Sequence, residues 1–197
     1  MRATPPSLRH KGPSRKSSGL VVLGIDPGTL VTGFGIVERQ GSQMDLLTYG
    51  AIRNSPDHPL AQRLMKIYSE LRSLIGAYCP TEIAIESAFY GKNAQSALKL
   101  GHARGVSLLA AVERDIPISE YSPREIKRAV TGKGQASKVQ VQFMVRALLG
   151  LSNHTMLADT SDAIATAICH LHRLTSPGKK HKDWKSFVMA HPERVRS

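Results

Sequence analysis

The sequence predicts one α/β domain built on a mixed five-stranded sheet flanked by helices. Three observations carry this. Three short apolar runs, residues 21–25, 33–38 and 45–53, follow one another with turn residues between them, as in an antiparallel meander. Helical periodicity then alternates with two further short runs, at 82–86 and 116–121. A length of 197 residues, 41% apolar and 21% charged, suits a soluble globular domain whose core needs no staples.

Each element has its own signal. Val21-Val22-Leu23-Gly24-Ile25 is an apolar run that ends at Asp26, before the turn residues Pro27-Gly28-Thr29. Leu60, Leu64, Ile67, Leu71, Leu74, Ile75 and Tyr78 recur every three or four residues and predict a helix, which Pro80 stops. Glu82-Ile83-Ala84-Ile85-Glu86 is the fourth strand. Residues 93–113, rich in Ala and Leu, predict a helix weakened in the middle by Gly101 and Gly105. After the fifth strand, Ser122-Pro123-Arg124-Glu125 combines an N-cap serine, a proline at the first helical position and a glutamate able to complete a capping box. That helix ends near Thr131-Gly132, and Gly132-Lys133-Gly134 is a basic loop. Residues 138–149 form a helix with Val141, Met144, Ala147 and Leu148 on one face, and residues 159–174 form the last. The order β-β-β-α-β-α-β-α-α-α places Asp26 and Glu86 on neighbouring central strands, with the last helix bringing Asp159 and Asp162 to them.

The formal net charge of +12 points to nucleic acid, but it is unevenly placed. Residues 1–19 carry five Lys/Arg and no acid, and residues 175–197 carry six against two acids. Residues 20–174 keep only +3. Both tails read as disordered: either they add non-specific phosphate affinity, or they only solubilise. The Arg/Ser-rich start resembles a transit peptide in composition, but Pro5, Pro6 and Pro13 spoil an amphipathic helix, so the expected compartment is the cytoplasm. No apolar run approaches the ~20 residues of a membrane span. Cys79 and Cys169 form no metal-type spacing and read as two core thiols of a reducing compartment.

Asp26, Glu86 and the pair Asp159/Asp162 are acids at three element ends. Singly, each has another explanation. Asp before Pro-Gly is common in turns, and acids in the first turn of a helix suit its dipole. Glu86 is stronger, because an acid ending a buried strand is costly unless paired or liganded. Together they describe an oxygen-lined site for a hard divalent cation, which in a basic protein points to phosphodiester hydrolysis. The scattered histidines make poor ligands, and His170 and His172 point to different faces of one helix. The Asp-x-Gly-Thr turn also opens the sugar-kinase and actin-like ATPase fold, but that needs two such domains. Proofreading exonucleases carry an acid two residues after the first Asp, where this chain has Gly28.

From about residue 20 to 174 the chain resembles the RuvC-type Holliday junction resolvases. The resemblance lies in Gly24-Ile25-Asp26-Pro27-Gly28-Thr29 with Thr32-Gly33-Phe34-Gly35, and in Ile85-Glu86 followed by Phe89 and Lys92-Asn93. It continues through Ser96-Ala97-Leu98-Lys99-Leu100-Gly101, Ala103-Arg104-Gly105 and Asp159-Thr160-Ser161-Asp162-Ala163. It implies an RNase H-like fold over 20–174; the basic tails at 1–19 and 175–197 lie outside the family pattern, and nothing carries over to them. It also implies a homodimer that nicks two strands of like polarity in a four-way DNA junction, partnered by the RuvA and RuvB branch-migration proteins. The family's catalytic, metal-binding acids map to Asp26, Glu86, Asp159 and Asp162, with two Mg²⁺ ions per site for which Mn²⁺ can substitute. Its lysines near the scissile phosphate map to Lys127 and Lys138, and its junction-stacking aromatic to Phe89. For Phe89 and Tyr90, core packing is the alternative. A non-catalytic junction-binding protein and a nuclease for RNA–DNA hybrids are the competing functions.

Overall fold

The computed structural model describes residues 19–87, 94–151 and 158–175. Its elements, in chain order, are β1 (Leu20–Asp26), β2 (Val31–Gln40), β3 (Gln43–Arg53), α1 (Leu60–Tyr78), β4 (Glu82–Glu86), α2 (Ala94–Val112), β5 (Ile118–Tyr121), α3 (Pro123–Thr131), α4 (Lys138–Leu148) and α5 (Ala158–Thr175). This is the expected order. The five strands form one sheet in the order β3-β2-β1-β4-β5. The first three are an antiparallel meander, and β4 and β5 join parallel to β1, so the sheet is mixed.

Alternation along β1 decides which side chain faces which layer. Val21, Leu23 and Ile25 pack with Ile67, Leu71 and Ile75 of α1 and with Ala103 and Ala110 of α2. Val22 faces the opposite layer, with Ala84, Ile164, Ala167 and Ile168, and α3 and α4 close that core through Ile126, Val130, Val141 and Val145. Asp26, two pleats beyond Val22, and Glu86, one pleat beyond Ala84, share this second face. An ion pair between Arg104 and Glu120 ties α2 to β5.

Local signals explain the boundaries. Cys79 takes a left-handed conformation and returns its N–H to the carbonyl of Ile75, ending α1 just before Pro80. Ser122 and Glu125 form the expected capping box on α3, and Ser137 with Gln140 forms a second on α4. Three readings need correction. β5 starts at Ile118, two residues later than expected. On α4 Val141, Met144 and Leu148 pack on the core as expected, together with Val145, whereas Ala147 is exposed. Cys169 is a core thiol but Cys79, at the helix cap, is exposed; both are free.

Candidate active site

The site is built where β1 and β4 end side by side. The parallel register pairs Ile25 with Ile85, so Asp26 and Glu86 follow at the same edge of the sheet. The turn after Asp26 is braced. Thr32, fully buried, donates its hydroxyl to the Gly28 carbonyl at 2.7 Å and accepts from the Gly28 N–H at 3.3 Å. Asn54 donates its side-chain amide to the carbonyl of Thr29 at 3.1 Å. Beyond Glu86 the N–H of Ser87 bonds the Tyr121 carbonyl at 2.8 Å, which keeps β4 fixed past the acid.

α5 brings the other two acids, and three glycines let it approach. Gly24 pairs with Gly35, and Asp26 with Gly33, across β1 and β2. A Cβ at Gly24 would lie 2.1 Å from the Ala163 carbonyl oxygen, one at Gly33 2.2 Å from that of Asp159, and one at Gly35 2.4 Å from Ile164 Cγ1. The first turns of α5 therefore rest on bare backbone, directly beside Asp26. The signal was present in the sequence as glycines at alternate positions in register with Asp26, but a lone strand glycine reads only as a weak point.

Burial and neighbouring charges act on Asp26 and Glu86. Burial, then the charges of Asp162 and Asp159, push the Asp26 carboxyl up to about 7, against a partial relief from Lys138. Burial, then Asp26 and Asp162, push Glu86 up to about 7, and Lys138 and Lys127 oppose this. Lys138 at the start of α4 donates to Asp162 Oδ2 at 3.1 Å, and this contact raises the lysine's own pKa. Phe89, Tyr90 and Lys92 lie outside the described residues, as do residues 1–18 and 176–197 of the tails.

Among the described residues, no three His, Cys, Asp or Glu side chains close on one point as a ready-made metal cage. The donor set still suits a hard cation. It consists of carboxylate oxygens, it is crowded with negative charge, and one bonded lysine offsets it. Mg²⁺ keeps several waters and needs only one or two carboxylates beside substrate phosphates.

Sequence reasoning missed a buried chain at the far end of α5. The Tyr121 hydroxyl lies 2.6 Å from His170 Nδ1, and His170 Nε2 lies 3.5 Å from Glu82. Burial lowers the pKa of His170, against the opposing charge of Glu82, and the Tyr121 bond ties α5 to β5. Only its place two residues from His172 was visible beforehand, which says nothing of partners on two strands.

The chain is similar to known proteins along most of its described length. The family model described as crossover junction endodeoxyribonuclease RuvC matches residues 22–170. The RuvC of Salinibacter ruber is 43% identical over 179 residues, covering 89% of this chain and 99% of its own. That of Syntrophotalea carbinolica is 52% identical over 151 residues, covering 77% and 93%. The structure of Thermus thermophilus RuvC in complex with Holliday junction substrate is similar with a TM-score of 0.74 at 33% identity, covering 78% of this chain and 93% of that one.

Proposed function

The chain belongs to the RuvC family of crossover junction endodeoxyribonucleases, and on that premise we propose that Asp26, Glu86, Asp159 and Asp162 are the centre at which it nicks DNA. It is an endonuclease of recombination and repair that resolves Holliday junctions. The observation that carries the site is the pair Asp26 and Glu86: two carboxyls at adjoining strand ends, both pushed up to about 7 by burial and by neighbouring acids. Such a pair is costly to keep without a counter-charge.

The enzyme is metal-dependent, and Mg²⁺ is the ion this donor set fits best, with Mn²⁺ as a substitute. Held by Asp26, Glu86, Asp159 and Asp162, such ions would supply an activated water and stabilisation of the leaving oxygen. The protein's part is to hold the four carboxylates on a rigid seam between the sheet and α5. Lys127 and Lys138, whose charges both act on Glu86, offset charge on the scissile phosphate. Phe89, three residues past Glu86, takes up a base unstacked at the crossover, worth about 1–3 kcal/mol. This is how a junction is told from plain duplex, since every duplex offers phosphates.

Two like strands are cut by two related sites, which a C₂ dimer provides. α2 is the proposed contact: Leu98, Gly101, Gly105, Leu109 and Val112 lie at helical spacing, all exposed, with Leu98 at 64%, Leu109 at 58% and Val112 at 60%. Residues 20–174 form the nuclease domain, and the tails at 1–19 and 175–197 add phosphate affinity. RuvA and RuvB are the proposed partners in branch migration, and the cytoplasm the proposed compartment. Among the described residues no helix is long and apolar enough to cross a membrane.

The test is nicking of a synthetic four-way junction beside linear duplex and RNA–DNA hybrid controls, with Mg²⁺ or with chelator. Paired, symmetric nicks in the junction alone, lost in chelator, are expected. Equal cutting of the hybrid, or undiminished cutting in chelator, overturns the reading.

A further inference from the structure

Lys138 is the first residue of α4, with a side chain 69% exposed, yet its ammonium turns inward to Asp162 Oδ2 at 3.1 Å; the Asp162 side chain is 22% exposed. Among the described residues no other Lys or Arg forms an ion pair with any of the four site carboxylates. The same ammonium favours the ionised forms of Asp26 and Glu86. One monovalent cation thus sits against a cluster of four acids, on an oxygen that a metal ion would also use.

An ammonium and a divalent ion cannot share one carboxylate oxygen cheaply. Their charges repel, and each satisfies the same lone pairs. From this competition we infer that Lys138 is a stand-in cation: it occupies Asp162 while the site holds no metal, and metal binding displaces it towards the DNA phosphate. Resting on the carboxylate site proposed above, this assigns Lys138 two successive partners. It also couples the two ligands. Metal that frees the ammonium prepares it for phosphate, so each ligand strengthens the other's binding.

The test is a titration of the full chain with Mn²⁺, without DNA, read by the electron paramagnetic resonance of the free ion. Lys138→Gln removes the competitor, so Mn²⁺ should bind more tightly, by roughly five- to tenfold. Lys138→Arg should bind close to wild type. Placed in an Asp162→Asn background, Lys138→Gln should lose most of its effect, because the two residues form one interaction. Lys138→Ala gives the same reading should the glutamine variant fold poorly. Unchanged or weaker Mn²⁺ binding in the folded Lys138 variants overturns the inference while leaving the carboxylate site intact. A wild type that takes up no Mn²⁺, or takes it up equally well as Asp26→Asn, overturns both.

Discussion

Asp26 and Glu86 carry ordinary carboxyl groups in an environment that makes ionisation expensive. Unfolded, they titrate near ~4; folded, each is pushed up to about 7. Between these values the folded chain binds more protons than the unfolded one, so stability falls as pH rises. The contribution of the two groups is fully present below about pH 4 and is lost above about pH 7. An amide at position 26 removes one of the two like charges. We therefore expect metal-free Asp26→Asn to melt above wild type at pH 8, with the gap closing towards pH 4. Thermal melts in chelator at both pH values check this, and a variant that melts lower at pH 8 contradicts it. The same protons must leave before a metal can bind, so metal affinity should drop below pH 7. These two acids were legible in the sequence because each ends an apolar run, where an unpaired carboxylate has no cheap explanation. His170 was not, since its partners Tyr121 and Glu82 lie on two strands distant in sequence.

α5 is the element on which the site depends, and its position is set by absent side chains. With a Cβ at Gly24 placed 2.1 Å from the Ala163 carbonyl, the helix must lift or the strand must bend. Overpacking of this kind costs about 1–3 kcal/mol, and more where backbone is the obstacle. Gly24→Ala should lower the melting temperature by at least ~2 °C, and by more if the backbone cannot give. It should also reduce cleavage far more than it reduces folded protein at working temperature, because Asp159 and Asp162 move away from Asp26. Circular dichroism melts and a junction-nicking rate on the same sample test this; unchanged values in both would show that α5 does not need the glycine seat. The helices and strands themselves were readable from periodicity, and the capping box at Ser122 from three residues. The contact of α5 with β1 and β2 was not, because nothing local records that Gly24, Gly33 and Gly35 fall under one helix. On α4 Val141, Met144 and Leu148 pack on the core as read, and only Ala147 was misplaced: it is small enough to suit either side, and only packing distinguishes it from Val145.

At the scale of the whole molecule, the stripe from Leu98 to Val112 leaves apolar surface in water on a chain that must act at two strands. Leu98→Lys with Leu109→Lys should convert a dimer into a monomer by sedimentation, retain α-helical circular dichroism, and uncouple the two nicks. A monomeric wild type that still nicks both strands in concert would contradict this arrangement. Family membership and element order were accessible from the sequence because short motifs sit at element ends that local rules already predict; the place of β5 at the edge beside β4 was not. The central claim, that four carboxylates between β1, β4 and α5 perform the cleavage while binding rests on basic residues, is tested most directly by Asp26→Asn. Junction cleavage and junction affinity are measured on one preparation, at one salt concentration. Cleavage should fall by at least ~1000-fold, the scale of lost transition-state charge stabilisation, with affinity within a few-fold of wild type. Cleavage close to the wild-type rate would contradict it.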